Sequence, residues 1–373
     1  MSKIDELIEE LCLEGIEFKS LSEVVTIKRG VRVTKKDLLE DGAYPVVSGG
    51  IGYMGYINEY NREPETITIA QYGTAGYVKW QSEKFWANDV CFSIIPDLQV
   101  IDNKYLYYFL SDKQEFLYGI SNRNAVPFSI DRDKILKIKI PVPPIEVQRA
   151  IVEVLDSFTE LEAELEAELE ARKKQYEFYR NQLLTFDDAG RVRWTTLVDT
   201  VKMARGVRVV KKELEETGEI PVYQNSMTPL GYYDKSNNKA DTAFVITAGA
   251  AGEVGYSFID FWAADDCFAL ICPDNLSGRF LYHFLKTKQE FLLSRVRRAS
   301  VPRLSRAVIE NIKVPVPPIE EQNHIVSILD SFDKLTTDIS EGLPAEINAR
   351  RKQYEYYRSK LLTFDEKKEP AHV

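Results

Sequence analysis

The sequence predicts an α+β fold: two tandem strand-rich domains separated by long antiparallel coiled-coil helices, in a circular pseudo-two-fold arrangement. Three observations carry this prediction. First, the chain repeats itself. Ile140–Glu146 (Ile-Pro-Val-Pro-Pro-Ile-Glu) returns as Val314–Glu320, Ala171–Arg180 returns as Ala349–Arg358, and Arg29-Gly-Val-Arg-Val33 returns as Arg205-Gly-Val-Arg-Val209. A period near 175 residues is far beyond the roughly 20–50 of a solenoid and is the size of a domain plus a connector. Second, each copy passes from short β-prone runs between Gly, Asn, Asp and Pro turns to one long apolar-striped helix. Third, the repeat is circular: Gly15 to Leu21 matches Arg191 to Leu197, so the stretch entering each domain is duplicated as well.

Residues 1–20 form an N-terminal helical segment. Its helix, from Ile4 to Leu13, is acidic and amphipathic, unlike a signal peptide. In a circular repeat it lies beside the C-terminal helix. Residues 21–144 make the first domain, with strands at Thr66–Ala70 and Val90–Ile95 and a short helix from Lys104 through Leu110 towards Leu117. Residues 145–190 are the central spacer helix. Pro143 and Pro144 cannot sit inside a helix but suit its first turn, and Glu146 suits its positive end. Ile151, Leu155, Phe158, Leu161, Leu165, Leu169, Tyr176, Tyr179 and Leu183 keep mostly three-and-four spacing. That seam is roughly 35–40 residues, or ~55 Å at ~1.5 Å per residue. Residues 191–318 repeat the first domain, with strands at Ala243–Thr247 and Asp266–Ile271 and a helix at Arg279–Leu285. Residues 319–373 hold the C-terminal spacer helix, which Gly342 and Pro344 should kink or break within the extra stretch from Ser340. The matched pairs Cys91/Cys267 and Trp86/Trp262 read as core.

Composition excludes several classes. No apolar run approaches the roughly 18 residues that span a membrane, and four unpaired-looking cysteines suit a reducing, cytoplasmic setting. There is no CxxC, and three histidines complete no obvious zinc set. The net charge of −10 gathers on the predicted helices: residues 145–190 carry 5 basic and 12 acidic side chains. The domains are near neutral (21–144) or mildly basic (191–318), which neither excludes DNA nor argues for it. No P-loop, Asn-Pro-Pro-aromatic or nuclease cluster is present, and His283, alone in a domain, faces Tyr108 in the other copy. The chain reads as a recognition part with no catalytic residues. A coiled-coil scaffold presenting two protein-binding domains has the same composition.

Together these motifs resemble the specificity subunit of type I restriction-modification systems. The resemblance rests on Pro141–Gln148 with Ile151–Phe158, on Pro315–Gln322 with Ile325–Phe332, and on Arg172–Arg180 with its copy Arg350–Arg358, and it covers essentially the whole chain. The Leu161–Leu169 tetrads resemble the four-residue repeats of the subgroup in which tetrad number sets the DNA spacer. The resemblance implies a non-catalytic subunit whose two target-recognition domains each read one half-site of double-stranded DNA. Its partners would be two modification subunits, which bring S-adenosylmethionine and methylate adenine N6, and restriction subunits, which use ATP and Mg. No cofactor would belong to this chain.

For phosphate contacts the matched cations beside a Gly turn stand out: Arg29, Arg32, Lys35 and Lys36, with Arg205, Arg208, Lys211 and Lys212. An ordinary solvated turn has the same appearance. The densest basic patch is Arg295, Arg297, Arg298, Arg303 and Arg306; the corresponding stretch of the first domain offers Asn122, Arg123 and Asn124. Base readout should come from polar positions that differ between the copies: Ser48 faces Gln224, Gly49 faces Asn225, and Gln71-Tyr72 faces Thr247-Ala248. Surface drift would produce such differences too. Gly73–Gly76 and Gly249–Gly252 could let DNA backbone approach closely, and read equally as tight hairpin turns. Tyr176, Tyr179, Tyr354, Tyr356 and Tyr357 exceed what a two-helix seam needs, and suit either a partner-subunit interface or packing within the helix pair.

Overall fold

Strands and helices follow the repeat in the computed structural model of the protein, which describes residues 3–12, 15–124, 126–186, 192–337 and 341–366. Packing divides the chain into two units, Met1–Glu164 with Ile347–Val373, and Leu165–Glu346. Each unit therefore holds one strand-rich domain, part of the central helix and part of the C-terminal helices.

The first unit begins with α1 (Lys3–Leu11), β1 (Phe18–Ser20), α2 (Leu21–Val24) and β2 (Val25–Arg29). It continues with β3 (Tyr44–Val47), β4 (Tyr56–Ile57), β5 (Thr66–Ala70), β6 (Val78–Gln81), β7 (Trp86–Ala87) and β8 (Cys91–Pro96). Then come α3 (Asn103–Asp112), α4 (Gln114–Ile120), α5 (Arg132–Leu136), β9 (Lys139–Pro141) and the start of α6 (Ile145–Leu183). An antiparallel sheet runs β2-β8-β5-β6, a second sheet runs β4-β3-β7 with β3 and β7 parallel, and β1 pairs with β9. Every residue of β5 is buried, as a central strand of β-branched residues should be. α3 covers the sheet with Tyr105, Tyr108, Phe109 and Leu110, and is capped by Asp102, whose carboxylate accepts from Lys104 N and Tyr105 N.

The second unit repeats this order. Its elements are β10 (Arg193–Thr196), α7 (Leu197–Thr200), β11 (Lys202–Arg205), β12 (Ile220–Tyr223), β13 (Tyr232–Tyr233), β14 (Thr242–Ile246) and β15 (Val254–Ser257). They continue with β16 (Trp262–Ala263), β17 (Cys267–Ile271), α8 (Gly278–Thr287), α9 (Gln289–Ser294), α10 (Arg306–Glu310), β18 (Lys313–Val316) and α11 (Ile319–Thr337). The sheets are β11-β17-β14-β15 and β13-β12-β16, and β10 pairs with β18. The final helix is α12 (Leu343–Leu361).

α6 is one helix of 39 residues, within the expected length. The C-terminal helix is broken, α11 ending at Thr337 and α12 starting at Leu343, where Gly342 and Pro344 fall. Ser340, which opens the extra stretch, lies outside the described residues, as do Leu13 and Arg191. In the first unit Ile4, Leu7 and Ile8 share a core with Tyr354, Leu361 and Leu362, and Ile16 N donates to Asp365 O, so the N-terminal helix does sit with the C-terminal one.

Each unit contains an antiparallel helix pair. In the first, Phe158 of α6 stacks on Tyr357 at 5.5 Å and meets Tyr354 at 6.4 Å, while Arg351 pairs with Glu162 at 2.5 Å. In the second, Phe332 of α11 stacks on Tyr179 at 5.6 Å and meets Tyr176 at 6.5 Å. Phe158 and Phe332 are copies of each other, as are Tyr179 and Tyr357, so the same contact is made twice with the roles exchanged.

Matched residues also fasten each domain to its helix. Gln148 and Gln322 are fully buried. Gln148 accepts from Asp102 N (2.7 Å) and donates to Val100 O and Pro143 O; Gln322 accepts from Ser277 N (2.8 Å) and donates to Asn275 O and Pro317 O. Asp156 takes a hydrogen bond from Tyr108 and an ion pair from Lys104 (2.7 Å); Asp330 takes them from His283 and Arg279, both at 2.7 Å. His283 and Tyr108, unlike in sequence, thus do one job.

Cys91 and Cys267 are buried core, and burial pushes the Cys91 thiol up to about 12. Trp86 and Trp262 are half-buried, Trp262 packing against Val209, Val222 and Ala264, and each turns its indole N–H to a loop carbonyl. Among the described residues no helix is long and apolar enough to cross a membrane.

Candidate nucleic-acid interface

The Arg-Gly-Val-Arg loop is held in the same way in both domains. Gly30 N donates to Cys91 O at 3.1 Å and Val31 N to Ala87 O at 2.8 Å; Gly206 N and Val207 N repeat this at 2.9 and 2.8 Å. Trp86 and Trp262 each donate Nε1 to the carbonyl of Val31 or Val207 at 2.8 Å. A Cβ at Gly30 would lie 2.1 Å from the Asn88 carbonyl oxygen, and one at Gly206 1.9 Å from that of Ala264, so only glycine fits. Arg29 Nε donates to Asp89 O at 2.6 Å, and Arg205 Nε points at Asp265 O at 3.5 Å. Each spends Nε on the frame and leaves the rest of its guanidinium exposed. Arg32, Lys35 and Lys36, with Arg208, Lys211 and Lys212, are exposed along the loop and the short 3-10 turn that follows it.

Three further loops meet beside it. In the first domain Thr74 N and Oγ1 both donate to Gly49 O at 2.8 Å, and Gln71 N donates to Val90 O. Ile130 N donates to Gln71 O, Gly73 N donates to Phe128 O, and Asn122 and Ser129 exchange backbone hydrogen bonds at 2.7 and 3.1 Å. The second domain repeats the pattern. Ala250 N donates to Asn225 O, Thr247 N to Asp266 O, Leu304 N to Thr247 O and Gly249 N to Pro302 O, while Arg297 and Arg303 exchange bonds at 2.8 and 3.1 Å. Gly73 and Gly249 take φ of 78° and 79° at the expected hairpin turns.

So the structure gathers Ser48, Gln71, Tyr72 and Asn122–Asn124 into one patch, and Gln224, Asn225, Thr247, Arg297, Arg298 and Arg303 into its copy. Ser48 lies 3.4 Å from Asn88 Nδ2, and Gln224 Nε2 donates to Asp265 at 3.3 Å, tying each patch to its Arg-Gly loop. Gln71 Oε1 is buried there without a partner. Arg297 and Arg303 face each other across a hydrogen-bonded pair, with no ion-pair partner among the described residues. Two cations so close repel, and an anion between them would relieve the repulsion. Arg306 pairs with Glu310 at 2.7 Å, and Arg295 lies over Phe291.

Lys134 and Lys137 escaped the sequence reading. They line an open groove with Asn122, Arg123 and Asn124. The lysine-rich run Lys134–Lys139 was the available signal, but the sequence reading placed no element there that would say where its side chains point. Of the tyrosines, Tyr176, Tyr179, Tyr354 and Tyr357 stack within the helix pairs, whereas Tyr356 is 62% exposed.

Residues 14–171, and again 192–349, match the family described as type I restriction modification DNA specificity domain. The chain is 32% identical over 398 residues to a putative type I restriction enzyme specificity subunit of Haemophilus influenzae, covering 95% of this chain and 98% of that one. It is 31% identical over 398 residues to the EcoR124I/EcoR124II specificity subunit of Escherichia coli, covering 95% and 96%. Its fold is similar to the crystal structure of the type I restriction-modification S subunit from M. genitalium, with TM-score 0.69 at 22% identity over 93% of this chain and 96% of that one.

Proposed function

The chain belongs to the family of type I restriction-modification specificity subunits, whose part in such enzymes is DNA specificity and not catalysis, and from that premise we propose that it reads a bipartite DNA target, one half-site per domain, across a fixed spacer. The observation that carries this reading is the pair of patches: one hydrogen-bonded frame built twice, bearing different side chains. Equal frames with unlike readout residues support related but different half-sites. Amides at Gln71, Asn122, Asn124, Gln224 and Asn225 suit adenine in the major groove, and the Arg297–Arg303 pair suits guanine or phosphate. Arg32, Lys35 and Lys36, and their copies, would anchor the backbone.

The helices would set the spacer. α6 extends about 58 Å at ~1.5 Å per residue, and one tetrad adds ~6 Å. Modification subunits would carry S-adenosylmethionine to adenine N6 at each half-site, and restriction subunits would add ATP-driven cleavage. Exposed Tyr356 is the best placed of the five tyrosines to meet a partner.

The test is to map N6-methyladenine in a host expressing this chain with its modification subunit, and in one lacking the chain. A split motif that depends on the chain is expected, with one methylated adenine per strand. Deleting Leu165 to Glu168 should shorten the spacer and keep both halves. A stable complex that yields no motif would point instead to a scaffold.

A further inference from the structure

Beside the candidate base-reading loop of the first domain lies an open groove of about 960 Å³, lined among others by Phe116, Tyr118, Asn122, Arg123, Lys134 and Lys137. Its cations are positioned. Lys134 Nζ donates to Ile120 O at 2.8 Å, which sets the ammonium on the groove wall and leaves two N–H donors for a ligand. Arg123 Nε donates to Tyr118 O at 3.2 Å, and its guanidinium lies 5.0 Å from the Tyr118 ring and 5.3 Å from that of Phe128. Lys137 ends α5 and is exposed. Glu115 is the acidic residue of the lining, so the cations outnumber it.

The second domain shows what this wall shares. Where the first has Ile120, Asn122 and Arg123, the second has Arg295, Arg297 and Arg298. Where the first has Lys134 and Lys137, the second has Val308 and Asn311, with Lys137 and Asn311 both capping the matched helices α5 and α10. Each domain therefore carries three cations across these matched positions, but draws them from different elements. A base-reading contact needs a particular side chain at a particular place. A phosphate needs only positive charge near the strand.

We propose that Lys134 and Lys137, together with Arg123, form a phosphate-contact site that grips the sugar–phosphate backbone of duplex DNA alongside the first half-site. The inference rests on the reading above that this domain binds DNA. The groove is continuous with Asn122–Asn124, so a strand whose bases meet that loop would carry its phosphates along the wall. An acidic face of a partner subunit is the competing occupant.

The test uses the full chain in complex with its modification subunit. Wild type and the Lys134→Gln/Lys137→Gln double variant are titrated with a duplex containing the target and with an unrelated duplex, at salt from 50 to 200 mM. Losing two phosphate contacts flattens the log–log salt slope by about 1.8, so the affinity lost across that range shrinks about tenfold. The affinity lost at low salt should be alike on both duplexes, with the methylated motif unchanged. An unchanged slope would overturn the site, and a changed motif would make these lysines base readers instead. Weaker assembly with the modification subunit in the absence of DNA would assign the groove to that partner. If wild type itself shows no preference for the target duplex, the DNA-reading proposal fails; if wild type discriminates and the variant matches it, this inference alone fails.

Discussion

Asn61 and Asn237 hold matched places in the two domains and do identical work. Each accepts from the backbone N–H of Ala87 or Ala263 at 2.7 Å and donates to the same residue's carbonyl. Asn122 and Arg297 also hold matched places, exchanging backbone bonds with Ser129 and Arg303, yet their side chains have nothing in common. The first pair is bound by geometry: a buried strand end needs one donor and one acceptor, and asparagine supplies both. The second pair shares only a backbone position, and its exposed side chains are free to meet different ligands. The division is local. Exposed Arg32, Lys35 and Lys36 return unchanged as Arg208, Lys211 and Lys212, whereas Thr74, whose Oγ1 donates to the Gly49 carbonyl, is Ala250 in the second domain.

The comparison breaks most violently at the frame. Gly206→Ala would drive a Cβ to 1.9 Å from a carbonyl oxygen, and Gly30→Ala to 2.1 Å, whereas Gly52 has nothing within 4 Å. Either frame variant should weaken binding of the bipartite target at least 100-fold, or about 3 kcal/mol, while Gly52→Ala stays at wild type in the same DNA titration. A tolerated Gly30→Ala beside a lethal Gly206→Ala would mean that the two loops are not held alike.

The next effect lies where domain meets helix. Gln148→Ala and Gln322→Ala each orphan buried backbone groups, at about 1–3 kcal/mol per group left unsatisfied. Denaturant unfolding should show losses of similar size for both, because the three bonds of Gln148 are the three bonds of Gln322. A loss confined to one variant would show that the two domains depend unequally on this amide.

Much of this architecture was legible in the sequence. The 39-residue helix, the break at Gly342 and Pro344, the paired hairpins and the seating of the N-terminal helix all follow from periodicity, prolines and duplication. Three things were hidden. Trp86 and Trp262 looked like core because a matched aromatic usually is, but their indole N–H groups are spent on loop carbonyls. His283 and Tyr108 held one matched position with unlike side chains, and only the fold shows that both aim at a matched aspartate. Lys134 and Lys137 drew no notice, because the groove they line exists only where α5 meets α4 and the Ser121–Asn124 turn. Repeats reveal what is shared; what a side chain touches across the fold needs coordinates.

A smaller effect separates the outward faces. Replacing Arg297 by Asn and Arg303 by Ser gives the second domain the chemistry of the first at this pair. Losing two charges should reduce DNA affinity about tenfold at moderate salt and flatten the salt slope by about 1.8. If the pair holds phosphate, the methylated half-site stays the same. If it reads guanine, that position of the half-site relaxes, which sequencing of the methylated motif distinguishes directly.

The smallest expected effect is a pH dependence present in one unit only. Burial is the main reason His283 is held below the usual histidine value of 6.5. The Asp330 hydrogen bond pulls the other way, but Arg279 already occupies that carboxylate and repels a second cation. The folded ring is therefore neutral, with Nε2–H donating to Asp330 and Tyr176 3.4 Å from Nδ1. Unfolded, the same ring takes a proton near its ordinary value, so between that value and the lower folded one the unfolded chain binds more protons. Stability from this site is complete above about pH 6.5 and declines as pH falls through that window. Burial raises the pKa of Asp330, but its bonds to His283 and Arg279 outweigh this and hold it below 3.8, so its own contribution is lost only in stronger acid. In the first unit Tyr108 occupies the place of His283 and brings no such titration to neutral or mildly acidic pH. Hydrogen exchange at pH 7.5 and 5.5, corrected for intrinsic rates, should show α8 and α11 losing protection relative to α3. His283→Tyr, which copies the first unit, should remove the difference, and an acid loss that persists in that variant would have to be assigned to another group.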